Sequence, residues 1–491
     1  MNIFRFINKP YKITTKPVRA TATAVLAAFL VTGTLPVLQA QVSQTLYFMD
    51  RLPQSSLINP AFQHNHNFHI GLPGISSFNV NAKTNFVNFS DLFFKHPQYD
   101  SLISFLHPDA DISNFTSRLK DRNTIAPDLH VNILSFGFRA NRSFVSFNIS
   151  ERTSLRANLP KDLILLGLHG NRQFIDKDAD FSNIGADLNY FREYAAGYSL
   201  RVNDRLNVGG RAKLLFGKAS LSFADSDISI YTDPDSYSMR LRSRFTMNLS
   251  MPVTLVKNED GEIDEIKPHF DNDGYDPLDF VFNSRNTGFA LDLGATYRII
   301  ERVTIYASIT DLGFINWKQD VYNLSVDGDF EFDGIDLSSL FNYADDSDPA
   351  DNLLDSLKGI FSINDTQNSF NRGLPTRIYL GGTYDLHRSF SLGLLSRSEI
   401  YQNNLDQALT LSGNLNLGRR LSTSVSYSMM NNSYNNFGMG LSLRGLMFQF
   451  YMITDNLNSV FYPHRTSSVN LWFGFNMMFG HVKNIQALPS R

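Results

Sequence analysis

The chain is 491 residues long, with 41 Phe and 20 Tyr but only 2 Trp, no Cys, and a net charge of -3 at pH 7. The absence of cysteine excludes a disulfide framework, a thiolate nucleophile and a Cys-based zinc site, and a charge balance without basic clustering gives no surface for nucleic acid. A mean hydropathy of -0.19 argues against a bundle of membrane helices, yet so many aromatic rings need burial or a lipid boundary.

The first 40 residues read as a secretory signal. Arg5, Lys9, Lys12, Lys16 and Arg19 form a basic start, no acid occurs before Asp50, and an apolar stretch runs from Ala20 to Val31 before LPVLQA. The stretch is too short to span a bilayer as a helix, so cleavage is expected after Ala40, with the mature chain from about Gln41. Without those five basic residues the 44 Lys+Arg fall to 39, against an unchanged 47 Asp+Glu. Residues 41–67 form a separate N-terminal segment, much too short for the plug domain of a TonB-dependent receptor.

In the remaining chain the signal is period two. Phe78 to Phe89 reads as an opening strand. PKDLILLGLHG (160–170) reads as a short internal helix, in or under a lumen. In RLNVGGRAKLLFG (205–217), Leu206, Val208, Gly210, Ala212 and Leu214 alternate with Asn207, Gly209, Arg211 and Lys213. Met239, Leu241, Phe245, Met247 and Leu249 alternate with Arg240, Arg242 and Arg244 in the same way. Phe289, Leu291, Leu293 and Tyr297 alternate with Asp292 and Arg298, and Val469 to Phe479 repeats the pattern. Each run is ~10 residues long, the length of a tilted membrane-crossing strand.

A short polar joint carrying Arg recurs between runs, at Arg142, Arg205, Arg302, Arg388, Arg420 and Arg444. Such joints are hairpin turns. Six hairpins, an opening strand and a closing strand at 468–479 predict an all-β transmembrane antiparallel barrel of about 14 strands over residues 68–480. Residues 218–250 could raise the count to 16. Long polar inserts at 225–237, 256–286 and 333–372 fit extracellular loops, and 481–491 is a tail. Lipid would take the apolar face of each strand, and the lumen its charged face. Only a closed barrel leaves no backbone edge unpaired in hydrocarbon.

The candidate lumen-lining residues are therefore Arg211, Lys213, Arg240, Arg242, Arg244, Asp292 and Arg298. The basic members could set anion preference or hold a plug; pairing with lumen acids such as Asp292 is the favoured role. No HExxH, GxSxG or Walker motif occurs, so an enzyme is not expected. His64, His66 and His69 lack a nearby carboxylate, so no metal site is assigned. DNDGYDPLD (271–279) fails as an EF-hand, because His269 and Phe280 would occupy positions that need acids. No cofactor is implied.

QTLYFMDRLPQSSLINPAF (44–62), with its asparagine-proline-alanine segment, resembles the opening of PorP/SprF-type proteins. GFALDLGATY (288–297) and SITDLGFINW (308–317) resemble strand motifs of the same barrels. The resemblance implies an outer-membrane barrel of the broad FadL-like type, from organisms with type IX secretion and gliding machinery; some of its members serve as secretion or motility accessories. This chain is longer than the typical member, with larger inserts. The expected function is thus a non-enzymatic outer-membrane scaffold or accessory in protein secretion or surface assembly. Its partners would be outer-membrane lipid and other secretion or envelope proteins. The alternative is a FadL-like channel for hydrophobic or small solutes, with residues 41–67 as a lumen hatch.

Overall fold

The computed structural model describes residues 44–480 apart from 96–101, 105–106, 108–111, 258–262, 272–273, 333–363, 403, 431–432 and 463–465. The expected signal at 1–40, the tail at 481–491 and residues 333–363 of the expected loop at 333–372 lie outside the described residues.

Fourteen antiparallel strands close into a transmembrane barrel. In chain order they are β1 (Phe68–Gly71, resuming as Phe78–Thr84), β2 (Arg122–Ala140), β3 (Ser143–Pro160), β4 (Gly185–Arg201) and β5 (Leu206–Thr232). Then come β6 (Asn286–Ile300), β7 (Val303–Trp317), β8 (Thr376–His387), β9 (Phe390–Tyr401) and β10 (Asn404–Leu417). The circuit ends with β11 (Leu421–Met430), β12 (Ser433–Gly445), β13 (Phe448–Thr454) and β14 (Ser468–Phe479). Both pieces of β1 pair with β2 on one side and β14 on the other, which closes the ring. The opening strand is shorter than expected: it stops at Thr84, and residues 89–92 form a helical turn.

The six short turns all lie at one end, at 141–142, 202–205, 301–302, 388–389, 418–420 and 446–447, where the Arg-bearing joints predict them. The long inserts leave from the other end, the end that faces outward from the cell in outer-membrane barrels. Outward-pointing Phe289, Leu291, Leu293 and Tyr297 on β6 are exposed, as are Leu214 on β5 and Leu392 and Leu394 on β9. Leaving each such side chain in water would cost about 1.5–3 kcal/mol relative to an apolar phase; a lipid boundary removes that cost. Among the described residues no helix is long and apolar enough to cross a membrane.

Residues 218–250 add no strand to the barrel wall. Instead β5 runs for 27 residues and outreaches the bilayer. Its first half pairs with β6, while its distal half pairs with a separate strand, Met239–Ser250, which in turn pairs with Val321–Phe332. The helix at Lys161–His169 forms as expected, but it packs beyond the rim rather than in the lumen. Its Leu166 joins Phe174, Ala179 and Phe181 against Ile228 and Ile230 of distal β5.

Candidate functional site

The N-terminal segment fills the lumen toward the short-turn end. Two 3-10 turns, Thr45–Phe48 and Pro53–Leu57, begin it; Pro53 opens the second, where a missing N–H costs nothing. Leu46, Tyr47, Phe48, Met49, Leu52, Ile58 and Phe62 form one buried cluster with Tyr379, Leu395, Tyr451, Ile453 and Trp472 of the barrel wall. Polar ties fix the register. The Asp455 carboxylate accepts from the backbone N–H of Gln44 (2.7 Å) and Thr45 (3.0 Å) and from the Thr45 hydroxyl (2.6 Å). Gln54 and Asn476 exchange amide hydrogen bonds at 2.8 and 3.1 Å.

The asparagine-proline-alanine segment has a physical role here. Asn59 Oδ1 accepts from Ala61 N at 3.0 Å, an Asx turn that presents the Pro60–Ala61 backbone to the wall. Gly209 and Gly294 face each other across the β5–β6 pair at that spot. A Cβ on Gly209 would overlap the Pro60 carbonyl, and one on Gly294 would overlap Asn59. The wall is flat there because the plug lies on it.

Nearby, His64, His66 and His69 come together: His66 Nε2 lies 2.9 Å from His69 Nδ1, and the His64 and His66 rings stack. Among the described residues no group of His, Cys, Asp and Glu is arranged to hold a metal ion. Burial pushes the His64 imidazole down to about 4, only partly offset by its hydrogen bond to the Asp50 carbonyl. Burial likewise holds His66 well below the usual imidazole range, with His69 and His64 adding repulsion.

Toward the long-loop end of the plug, a band of ion pairs crosses the lumen from β3 to β10. Arg211 donates to Asp292 (3.0 Å) and Glu193 (3.2 Å), and the Lys213 ammonium lies 2.6 Å from both Asp292 and Asp311. Arg152 grips Asp311 with both terminal nitrogens (2.8 and 3.0 Å) and reaches Glu193 at 3.1 Å. Arg377 joins Asp311 (2.8 Å) to Glu399 (2.7 Å), and Arg397 joins Glu399 to Asp406. Five cations meet five carboxylates, so the band is neutral in sum.

Asp311 is its hub, and strict alternation hides it. Ile305, Ala307 and Ile309 point outward, which would send Asp311 outward too. Instead the register shifts opposite Asp292, Asp311 takes a φ of 60°, and both Thr310 and Asp311 face inward. A bulge that re-aims a side chain is a common device beside functional sites. Arg152, Glu193, Arg377 and Glu399 had a legible signal, since each sits at an inward position of an alternating strand.

The candidate residues divide. Arg211, Lys213 and Asp292 lie in the band, fully buried. Arg298 is on the inward side of β6, closer to the short-turn rim and outside the band. Arg240, Arg242 and Arg244 do not line the lumen: their strand stands beyond the barrel on distal β5, with all three arginines exposed. Arg242 and Arg244 pair there with Asp329 and Asp327, at 3.5 and 3.6 Å.

A cavity of about 130 Å³ rests directly on the plug. Leu57 and Ile58 form its floor, and Arg152, Arg377 and Glu399 form part of its side. At the far end Asp187 and Tyr401 are tied together through Arg372, whose guanidinium also reaches the Leu188 and Leu221 carbonyls of β4 and β5. Several lining groups have no hydrogen-bond partner among the described residues: both polar atoms of the Asn81 amide, His130 Nε2 and Asn189 Oδ1. Asn81 and Asn189 are almost wholly buried.

No curated protein matches the chain. Solved structures similar to it include the Ralstonia pickettii toluene transporter TbuX (10% identity, 87% of this chain and 94% of that one, TM-score 0.42). Another is a Pseudomonas aeruginosa FadL homologue (9% identity, 91% and 100%, TM-score 0.41). A third is the P. putida toluene transporter TodX (9%, 87% and 95%, TM-score 0.39). In sequence, residues 60–455 match a family of unknown function, DUF5723, and the chain belongs to that family.

Proposed function

We propose that the protein is an outer-membrane channel for a small polar solute, held shut by residues 44–67. The observation that carries this reading is the chamber standing on Leu57 and Ile58, with unpartnered amide and imidazole groups in its wall. Each buried polar group left unmatched costs about 1–3 kcal/mol, and a solute with donors and acceptors recovers that cost. An apolar solute would strip solvent from the charged wall without replacing its hydrogen bonds. The volume is on the order of the cavities that admit a benzene-sized molecule.

The test uses the fact that the chain has no cysteine. The Thr45 and Ser426 hydroxyls lie 2.7 Å apart, so Thr45→Cys with Ser426→Cys places two thiols for a disulfide from plug to wall. In phosphatidylethanolamine–phosphatidylglycerol vesicles, the reduced protein should pass serine or glucose, and oxidation should stop the flux. Absence of flux in both states overturns the reading.

A scaffold role in secretion or surface assembly is the second reading. It rests on the resemblance to PorP/SprF-type proteins and on how firmly Asp455, Asn476 and the glycine seat hold the plug. Stoichiometric protein partners after mild-detergent purification, together with absent flux, decide for it.

A further inference from the structure

The barrel carries charges on its outer wall as well as inside. On β3 and β4, inward positions are taken by Arg152 and Glu193, so Glu151 and Arg192 point outward; on β5 the register shift opposite Tyr190 and Phe191 makes Lys218 an extra residue, whose ammonium reaches Glu151 and the Tyr190 ring on that outer side. They form a compact group: Glu151 accepts from Arg192 Nε at 2.6 Å and from Lys218 Nζ at 2.9 Å. On the β4–β5 side their level is the upper margin of the exposed apolar positions. One outward position below Arg192 and its neighbour Phe216 lie Tyr194 and the exposed Leu214. Beside Glu151 stands Val131 of β2, with the exposed Leu129 and Ile125 farther toward the long-loop end. Bare charges at this height would face lipid at a substantial cost.

They are not bare. Phe280 and Phe282, in the insert between Met239–Ser250 and β6, cover them on the outside of the barrel. The Phe280 ring lies 5.9 Å from both the Tyr190 ring and Lys218 Nζ, and the Arg192 guanidinium lies 5.6 Å from the Phe282 ring. Phe270 packs on Tyr275 and Phe280 at 5.1 and 5.5 Å. The inner side of this insert therefore shields the ion group through ring faces. Its outer side presents Phe270, Leu278 and Phe282, which are 48%, 57% and 66% exposed.

We propose that residues 274–285, together with Phe270, are a lipid-seated flap: Leu278, Phe282 and Phe270 insert into the outer leaflet at the level of the headgroups, continuing the barrel's apolar belt across the Glu151–Arg192–Lys218 group. The occupant is the lipid surface because the flap sits over Arg192 and Lys218, one outward position above the exposed, lipid-facing Leu214. Three large apolar side chains on a polar segment, at the interface height, are the pattern of an interfacial anchor.

The test is single-cysteine spin labelling of the full barrel in phosphatidylethanolamine–phosphatidylglycerol vesicles, at Leu278→Cys and Phe282→Cys. Leu214→Cys serves as the belt reference and Tyr237→Cys as the aqueous reference. Both flap labels should relax more with oxygen than with a water-soluble nickel chelate, as Leu214→Cys does, with the ratio reversed at Tyr237→Cys. Flap labels that follow Tyr237→Cys overturn the proposal. These side chains are exposed, so the substitutions leave the fold standing, and the outcome is independent of whether the lumen conducts.

Discussion

Two strands of this protein look alike in sequence and live in different media. β5 carries Arg211 and Lys213 between Val208, Ala212 and Leu214; Met239–Ser250 carries Arg240, Arg242 and Arg244 between Met239, Leu241 and Phe245. On β5 the apolar side meets lipid, and the charges are sealed in the lumen with 2% side-chain exposure. On the other strand the arginines face water, with Arg242 62% exposed, while Met239 and Leu241 are buried among the loops. Alternation reports that a strand has two different sides. It does not report which side is wet.

The same contrast sets the size of mutational effects. The largest is expected at Asp311→Ala. It strips the shared carboxylate from Arg152, Lys213 and Arg377, leaving buried charge uncompensated at a cost of about 3–5 kcal/mol. Thermal unfolding in detergent should fall accordingly, whereas a well-folded variant of unchanged stability would mean that water screens the band.

Next comes Gly209→Val. Its side chain must displace Pro60 from the wall, and overpacking of this kind costs about 1–3 kcal/mol. The signature is protease cleavage within 44–67 while the barrel itself stays resistant; an intact plug would contradict the seat described above.

Acid should act on the plug gradually rather than all at once. His64 falls from 6.5 to about 4 when buried beside the Asp50 carbonyl and Arg139, so the released plug binds protons that the seated one refuses. Seating is then fully stable above pH 6.5 and weakens as pH falls from there toward about 4, by up to ~1.4 kcal/mol per pH unit for this residue. Labelling of a single cysteine at Thr45 should speed up over that window, and His64→Gln should flatten the response.

The smallest effect belongs to Arg242→Ala. Its pair with Asp329 is exposed on both sides, so a loss of about 0–1 kcal/mol is expected, erased by salt. Equal losses at Arg242 and at the lumen band would erase the distinction between the two strands.

Much of the barrel was legible because its signals are local. The Arg-bearing joints marked the six short turns, and with an opening and a closing strand they gave about 14 strands, with 16 left open; period two marked wall strands such as β5, β6 and β14 but also Met239–Ser250, which is not one. What escaped depends on register and on length. A bulge at Thr310–Asp311 moved the central carboxylate to the face opposite the one alternation assigns. The 27 residues of β5 carried residues 218–250 past the membrane, so strands that could have made a wall of 16 became an extension above it. The plug residues 44–62 could be set apart as a segment, but their seat on Gly209 and Gly294 joins positions far apart in the chain. No local pattern encodes that.

The central claim is that residues 44–67 close the lumen beneath the polar chamber. Its most direct test is single-channel conductance in a planar bilayer of the intact barrel beside a variant lacking residues 44–63. The account predicts that the intact protein opens only briefly, as the plug gives way to solute, whereas the variant conducts steadily. A truncated barrel that folds and still does not conduct would contradict it, placing the closure in the ion-pair band or at Arg372.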